Sequence, residues 1–202
     1  MYRFYIKRTM DVSVSFVLLC LIFPVLLLIA FIIKIDSKGP VFFHQIRLGE
    51  NGCRFKIYKF RTLSDRPRLV DSEIYKGNSD VTRFGSFLRR FKIDELPQLI
   101  NIFIGDMSFV GPRPSLPELM NDFNEDAYFR IKVKPGLTGL SQINGNIYLS
   151  WDQRWEYDRF YVCNLSLSLD LSILLKTILI VLFGEEKFLK SEGNDNSCNR
   201  GC

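Results

Sequence analysis

Asp94 and Glu95 stand side by side in Lys92-Ile93-Asp94-Glu95-Leu96-Pro97-Gln98-Leu99. Pro97 fits the first turn of a helix, where its missing N–H costs nothing. The pattern predicts a helix over residues 96–104, with Asp94 at the N-cap, Glu95 in the first turn and Gly105 closing it. A helix N-terminus favours negative charge and offers amide donors to a phosphate. Arg89, Arg90 and Lys92 precede the pair, and Arg113 follows it. Ionised carboxylates among cations suit phosphoryl transfer. A capped surface helix is the plainer use of the same residues.

Other residues point to the same chemistry. Gly111-Pro112-Arg113-Pro114 holds an arginine between two prolines, and a guanidinium presented with little freedom can clamp a phosphate by its planar fork. Alternation along a strand over 54–60 puts Lys59 and Arg61 on one face, where two cations suit a diphosphate. Residues 133–140 form a Gly/Pro turn, in which Gly136 and Gly139 permit close backbone approach. There is no G-x-G-x-x-G or Walker pattern, so neither a Rossmann fold nor a P-loop is indicated. The one histidine, His44, falls in a strand and reads as structural.

The elements that must position these residues are mostly helical. Residues 41–47 and 54–60 read as a hairpin joined by Leu48-Gly49-Glu50-Asn51-Gly52. Residues 81–92 have helical apolar spacing (Phe84, Phe87, Leu88, Phe91) and basic flanks, which suit a membrane surface or the protein's own core. Residues 117–129 read as a helix, 151–161 as an aromatic-rich amphipathic helix, and 165–183 as an interfacial or core-packing helix. Residues 64–80 read as a mobile loop and 184–202 as a disordered tail. The chain is α+β, mostly α with a small β-hairpin.

Residues 12–33 are an apolar run without a charge, long enough to be a membrane helix candidate. Pro24 sits near its middle, and both flanks are basic (Arg3, Lys7 and Arg8; Lys34, Lys38 and Arg47), so charge gives a spanning helix no orientation. The halves on either side of Pro24 measure roughly 18 and 14 Å, each about half of a hydrocarbon core. A helix that bends at Pro24 and returns fits these facts, and so does a spanning helix with a mild kink. The net charge of +5 suits anionic lipid, phosphorylated substrates or nucleic acid, and 18 Phe suit contact with lipid. The five cysteines (Cys20, Cys53, Cys163, Cys198, Cys202) show no C-x-x-C spacing and read as reduced, incidental thiols.

Taken together, Lys59-Phe60-Arg61-Thr62, Asp94-Glu95-Leu96-Pro97-Gln98-Leu99, the segment from Gly105 to Pro114 and Lys134-Pro135-Gly136-Leu137-Thr138-Gly139 resemble the bacterial sugar transferases. These are small monotopic polyprenyl-phosphate phosphoglycosyl transferases. The resemblance runs from about Tyr5 to Phe183. It implies transfer of a sugar-1-phosphate from a UDP-sugar to undecaprenyl phosphate with release of UMP, as the first membrane step of bacterial surface glycan assembly. It implies a re-entrant membrane helix over 1–36, a catalytic domain over 37–183 on the cytoplasmic face of the inner membrane, and a tail over 184–202. By the same resemblance Asp94 and Glu95 are the catalytic pair and the expected ligands of a required Mg²⁺, Asp94 is the nucleophile that forms a phosphosugar intermediate, and Arg113 is the arginine of the family's Pro-Arg-Pro turn. Glu95 either holds Mg²⁺ or accepts the proton of the lipid phosphate, and the charge of Lys59, Arg61 and Arg113 suits them to binding the substrate diphosphate. Phe23-Pro24 stands where the family often has Ser-Pro, Leu63 where Met is usual, and Asn146 where Arg is common.

Two other readings are open from the residues. A membrane-anchored docking protein without catalysis would use the acidic pair and the Arg113 turn only structurally. A tethered nucleic-acid binder suits the charge and aromatics but has no recognisable binding module, so no nucleic-acid partner is expected.

Overall fold

The computed structural model describes residues 2–64 and 80–183. The expected loop over 64–80, apart from its two end residues, and the expected tail over 184–202 lie outside them, as do Cys198 and Cys202. Cys20, Cys53 and Cys163 form no disulfide among the described residues.

Helix α1 (Lys7–Asp36) follows one π-helical turn and carries the apolar run. Its helical residues continue without a break across Pro24, and it is long and apolar enough to cross a membrane. One face packs inward. Leu18, Leu19 and Ile22 lie on Phe55, Ile57, Leu99, Ile102 and Met107. Further along, Ile29 and Ile33 lie on Phe60 and Leu88. The opposite face, with Phe16, Leu21, Phe23, Leu28 and Phe31, is exposed.

Strands β1 (Phe42–Leu48) and β2 (Arg54–Phe60) form the expected antiparallel hairpin. Asn51 and Gly52 take positive φ in its turn, conformations that Asn and Gly tolerate best. Helix α2 (Arg83–Arg90) is capped by the Thr82 side chain, which accepts from the Gly85 amide. Lys92 then adopts a left-handed conformation (φ 57°) and turns the chain sharply into a 3₁₀ turn over Ile93–Glu95. Helix α3 (Gln98–Ile104) follows and ends at left-handed Gly105 (φ 104°). Here the expectation is corrected: Asp94 is not an N-cap. The amides of Glu95, Leu96, Leu99 and Ile100 already donate to the carbonyls of Lys92, Ile93, Leu96 and Pro97. The tight turns ahead of α3 use the donors that an open helix terminus would have offered.

Strand β3 (Ser108–Val110) pairs in parallel with β4 (Gly136–Thr138). This second sheet was not expected, since three-residue strands have too little alternation to be read. The predicted helix over 117–129 is also corrected. Two 3₁₀ segments, Pro117–Asp122 and Ala127–Lys132, occupy the region, with Phe123 extended between them. The last elements are α4 (Leu140–Ile143), a 3₁₀ turn at Asn146–Tyr148, α5 (Trp151–Cys163) and α6 (Leu167–Phe183). Ser150 and Gln153 cap α5 reciprocally. Val110, Ile143, Tyr161 and Ile173 pack where β3, α4, α5 and α6 meet.

Buried polar groups fasten these layers. Asp170 of α6 accepts from Tyr2, Lys7 and Tyr161. Asn101 of α3 accepts from the Tyr58 amide and donates to the Lys56 carbonyl, which locks α3 to β2.

Candidate active site

The lock between α3 and β2 brings Glu95 to Lys59, the penultimate residue of β2. Lys59 Nζ lies 2.6 Å from Glu95 Oε1. Arg113 Nη2 reaches the same oxygen at 3.1 Å. One carboxylate oxygen thus bridges two cations. Burial alone would push the Glu95 carboxyl up, but Arg113 and Lys59 outweigh it and hold the group well below the ordinary carboxylate range. Burial lowers the Lys59 ammonium, against the pull of Glu95.

Asp94 is in a different state. Its carboxyl makes no hydrogen bond or ion pair with the described residues. Burial and the neighbouring Glu95 charge raise it above the ordinary aspartate value, while Lys59, Arg89 and Lys92 act in the other direction. Adjacent in sequence, the two carboxylates differ because the 3₁₀ turn points one at the hairpin and leaves the other uncommitted.

Arg113 is held by more than its prolines. Arg130 donates to the Arg113 carbonyl at 2.9 Å, and Arg47 donates to the Pro114 carbonyl at 3.2 Å. Arg130 is itself paired at 3.3 Å with Asp158, which is almost fully buried. The glycines permit this crowding, as expected of Gly136 and Gly139. A Cβ on Gly136 would fall 2.1 Å from the Gly111 nitrogen, and one on Gly139 2.2 Å from the Gly111 oxygen.

Arg61 is not brought to this cluster. β2 stops at Phe60, and the Arg61 guanidinium turns to the end of α1, where it donates to the carbonyls of Ser37 and Lys38 at 2.8 and 2.6 Å. Of the five expected site residues, Lys59, Asp94, Glu95 and Arg113 stand together. Sequence reasoning missed the supports Arg47, Asn101, Arg130 and Asp158. Asn101 had a usable signal, a lone amide inside the apolar run 99–104.

Two cavities meet at Arg113, Gln142 and Asn146. One, of about 280 Å³, opens beside Glu95 and is walled by Phe109, Leu137, Ile143, Leu174 and Ile180. The other, of about 100 Å³, is polar and basic, with Arg47, Arg113, Arg130 and Arg154 in its wall. Among the described residues no group of three or more His, Cys, Asp or Glu converges as a metal cage. Asp94 and Glu95 are the residues that could hold Mg²⁺, an ion that takes one or two carboxylates and completes its shell with water and substrate phosphate.

Residues 2–184 match the family described as bacterial sugar transferase. An uncharacterized sugar transferase, EpsL, of Bacillus subtilis is 40% identical over 180 residues, covering 89% of each chain. The UDP-glucose:undecaprenyl-phosphate glucose-1-phosphate transferase of Klebsiella pneumoniae is 41% identical over 183 residues, covering 85% of this chain and 39% of that longer protein. The UDP-N-acetylgalactosamine-undecaprenyl-phosphate N-acetylgalactosaminephosphotransferase of Aeromonas hydrophila is 37% identical over 187 residues, covering 89% of this chain and 44% of its own. Such relatives set aside the docking-protein reading. With the family match spanning every element that builds the Lys59–Glu95–Arg113 cluster, the chain belongs to the bacterial sugar transferases and is an enzyme of that family.

Proposed function

We propose that the enzyme transfers a sugar-1-phosphate from a UDP-sugar to undecaprenyl phosphate and releases UMP, by way of a phosphosugar ester on Asp94. The carrying observation is the division within the carboxylate pair. Glu95 is engaged by two cations, whereas the Asp94 carboxyl beside it makes no hydrogen bond or ion pair among the described residues. The names of the relatives support the donor and acceptor classes.

In the first half-reaction an Asp94 oxygen attacks the sugar-bearing phosphorus. The bond from that phosphorus to the bridging oxygen breaks, and UMP leaves with the electron pair. In the second, an oxygen of the lipid phosphate attacks the same phosphorus and the Asp94 carboxylate departs. Arg113 and Lys59 supply fixed positive charge where the diphosphate and its transition state carry negative charge. Glu95 keeps both cations in place. Asp94 and Glu95 would also hold Mg²⁺, which neutralises diphosphate charge when bound. The apolar cavity beside Glu95 gives the first isoprene units of the acceptor a place next to Arg113.

The same reading sets the protein on the cytoplasmic face of the bacterial inner membrane, with residues 1–36 as a re-entrant element and 37–183 as the catalytic domain. Its support is that both ends of α1 are tied to one domain. At the start, Lys7 meets Asp170 and Arg8 donates to the Ile102 carbonyl. At the end, Ile33 packs on Leu88, and Arg61 holds Ser37 and Lys38. Exposed Leu171, Leu175, Ile178 and Leu182 form an apolar stripe on α6, and Phe87 and Phe91 extend apolar surface beside α2.

The test is a quenched-flow measurement with UDP-sugar alone. The expected result is one stoichiometric burst of UMP, sugar phosphate retained on the protein, and discharge when undecaprenyl phosphate is added. Asp94→Asn should fold and give no burst. UMP that appears only after acceptor addition would mean direct attack by the lipid phosphate, and the covalent mechanism would fall.

A further inference from the structure

The first turns of α1 touch both elements that bring Glu95 and Arg113 together. Arg8 and Asp11 lie three residues apart and so share one face of the helix. Arg8 donates through Nη1 to the Ile102 carbonyl at 2.7 Å and through Nη2 to the Phe103 carbonyl at 2.9 Å. Both carbonyls belong to the last turn of α3, where a helix has no amide of its own left for them. A Cβ on Gly105 would come within 2.9 Å of Arg8 Nη2, so this glycine also leaves the guanidinium its place. Asp11 reaches the next element: its Oδ1 accepts from the Phe109 amide, in the middle of β3, at 3.1 Å. Asp11 is buried, and a carboxylate is seldom buried unless it is paired or hydrogen-bonded. Three residues, 105–107, join α3 to β3. The turn that carries Asp94 and Glu95 leads into α3, and β3 leads into Gly111 and the Arg113 turn.

We propose that Asp11, with Arg8 as its fixed base, is a positioning residue for the transfer reaction: it holds β3 at a set distance from α3 and so places Arg113 against Glu95. The long apolar helix is then part of the active-site frame as well as an anchor. This rests on the proposed transfer for the reaction measured and for Arg113 as the group that meets the diphosphate. Asp11 itself touches no substrate. It acts through the Phe109 amide, two residues before Gly111. The next peptide of β3 is held from another element, since the Tyr161 hydroxyl of α5 donates to the Val110 carbonyl at 3.1 Å. With Tyr161 fixing Val110, releasing Phe109 lets the strand pivot instead of sliding as a unit, and the turn beyond it moves. A guanidinium displaced by a fraction of an ångström meets a developing charge less well, which is how a residue away from the chemistry costs rate.

The experiment is a double-mutant cycle between positions 11 and 113 on the purified full chain in detergent. It is read by UMP release with UDP-sugar and undecaprenyl phosphate and by amide hydrogen exchange. Asp11→Leu removes the acceptor at similar size and should lower kcat/KM about tenfold, the scale of one buried hydrogen bond. Asp11→Asn keeps an oxygen for the Phe109 amide and should stay within about threefold of wild type. In an Arg113→Lys background Asp11→Leu should cost no more than about twofold, because the group it positions is already gone. A merely structural aspartate would lower the unfolding temperature and reduce activity by the same factor in both backgrounds. Exchange of the 108–111 amides should quicken in Asp11→Leu while the β1–β2 hairpin keeps its protection. If Asp11→Leu does not fold, Asp11→Ala takes its place in every measurement. The proposal is overturned by equal costs in the two backgrounds, by Asp11→Asn as slow as Asp11→Leu, or by unchanged exchange over 108–111. Should Arg113→Lys alone leave kcat/KM intact, the assigned role of Arg113 falls, and exchange over 108–111 alone decides whether Asp11 holds β3.

Discussion

Two neighbouring carboxylates are made different by their surroundings. The Glu95 oxygen sits between Lys59 and Arg113, while Asp94 is half-buried beside that negative charge. A carboxylate with raised proton affinity loses its ionised form at a higher pH than an ordinary aspartate. If Asp94 is the nucleophile, donor loading should fall on acidification with an acid limb above the ordinary value of about 4. Glu95→Gln should slow loading and also move that limb downward, because one cause of the raised value is removed while burial stays. A limb that does not move would separate Asp94 from the observed titration. Arg113→Lys keeps the charge but loses the planar fork. We expect kcat/KM to drop about a hundredfold, the scale for removing one positioned donor from a developing charge. Retention of most activity would reduce Arg113 to a general positive charge.

At the scale of elements, the short parallel pair β3–β4 carries the Arg113 turn. Its packing depends on backbone approaching backbone with nothing between. Gly136→Ala would bring a methyl group to 2.1 Å from the Gly111 nitrogen and 2.3 Å from the Thr138 oxygen. The strands must separate, and the turn that begins at Gly111 must move with them. We expect a destabilisation of about 1–3 kcal/mol, the usual cost of overpacking, accompanied by a loss of kcat. Thermal unfolding and steady-state kinetics on the same preparation check both. A stable variant with normal kcat would show that the turn is held by Arg47 and Arg130 alone.

Considered whole, the molecule places both ends of a long apolar helix on one polar domain. Thirty residues of helix extend roughly 45 Å. The inward face of α1 is covered by the hairpin, α2 and α3, and the outward face is left apolar. If the chain is monotopic, both ends lie on the same side of the membrane. Cysteines introduced near Arg3 and near Lys38, in a background without native cysteines, should both resist an impermeant thiol reagent applied outside intact cells. Labelling of either one from outside would restore a spanning helix.

Features that depend on near neighbours can be read from the chain without its tertiary contacts. The β1–β2 hairpin, the apolar run of α1, the Gly105 stop, the close approach at Gly136 and the aromatic α5 follow from spacing, turn chemistry and side-chain size within a few residues. Asp94, Glu95, Lys59 and Arg113 were legible as candidates by type and setting. Which cation meets which carboxylate depends on long-range packing. Lys59 and Glu95 are separated by 36 residues, and Arg113 and Glu95 by 18. Strand alternation grouped Lys59 with Arg61, but β2 ends between them, and Arg61 answers carbonyls at the end of α1 instead. Likewise the turns before α3 took the amides that a helix N-terminus would have offered, and β3–β4 pairing formed from strands too short to show a pattern. The physical reason is the same in each case. A charge or a backbone donor is satisfied by whatever packing brings nearest, and that choice is made by contacts between residues far apart in the chain.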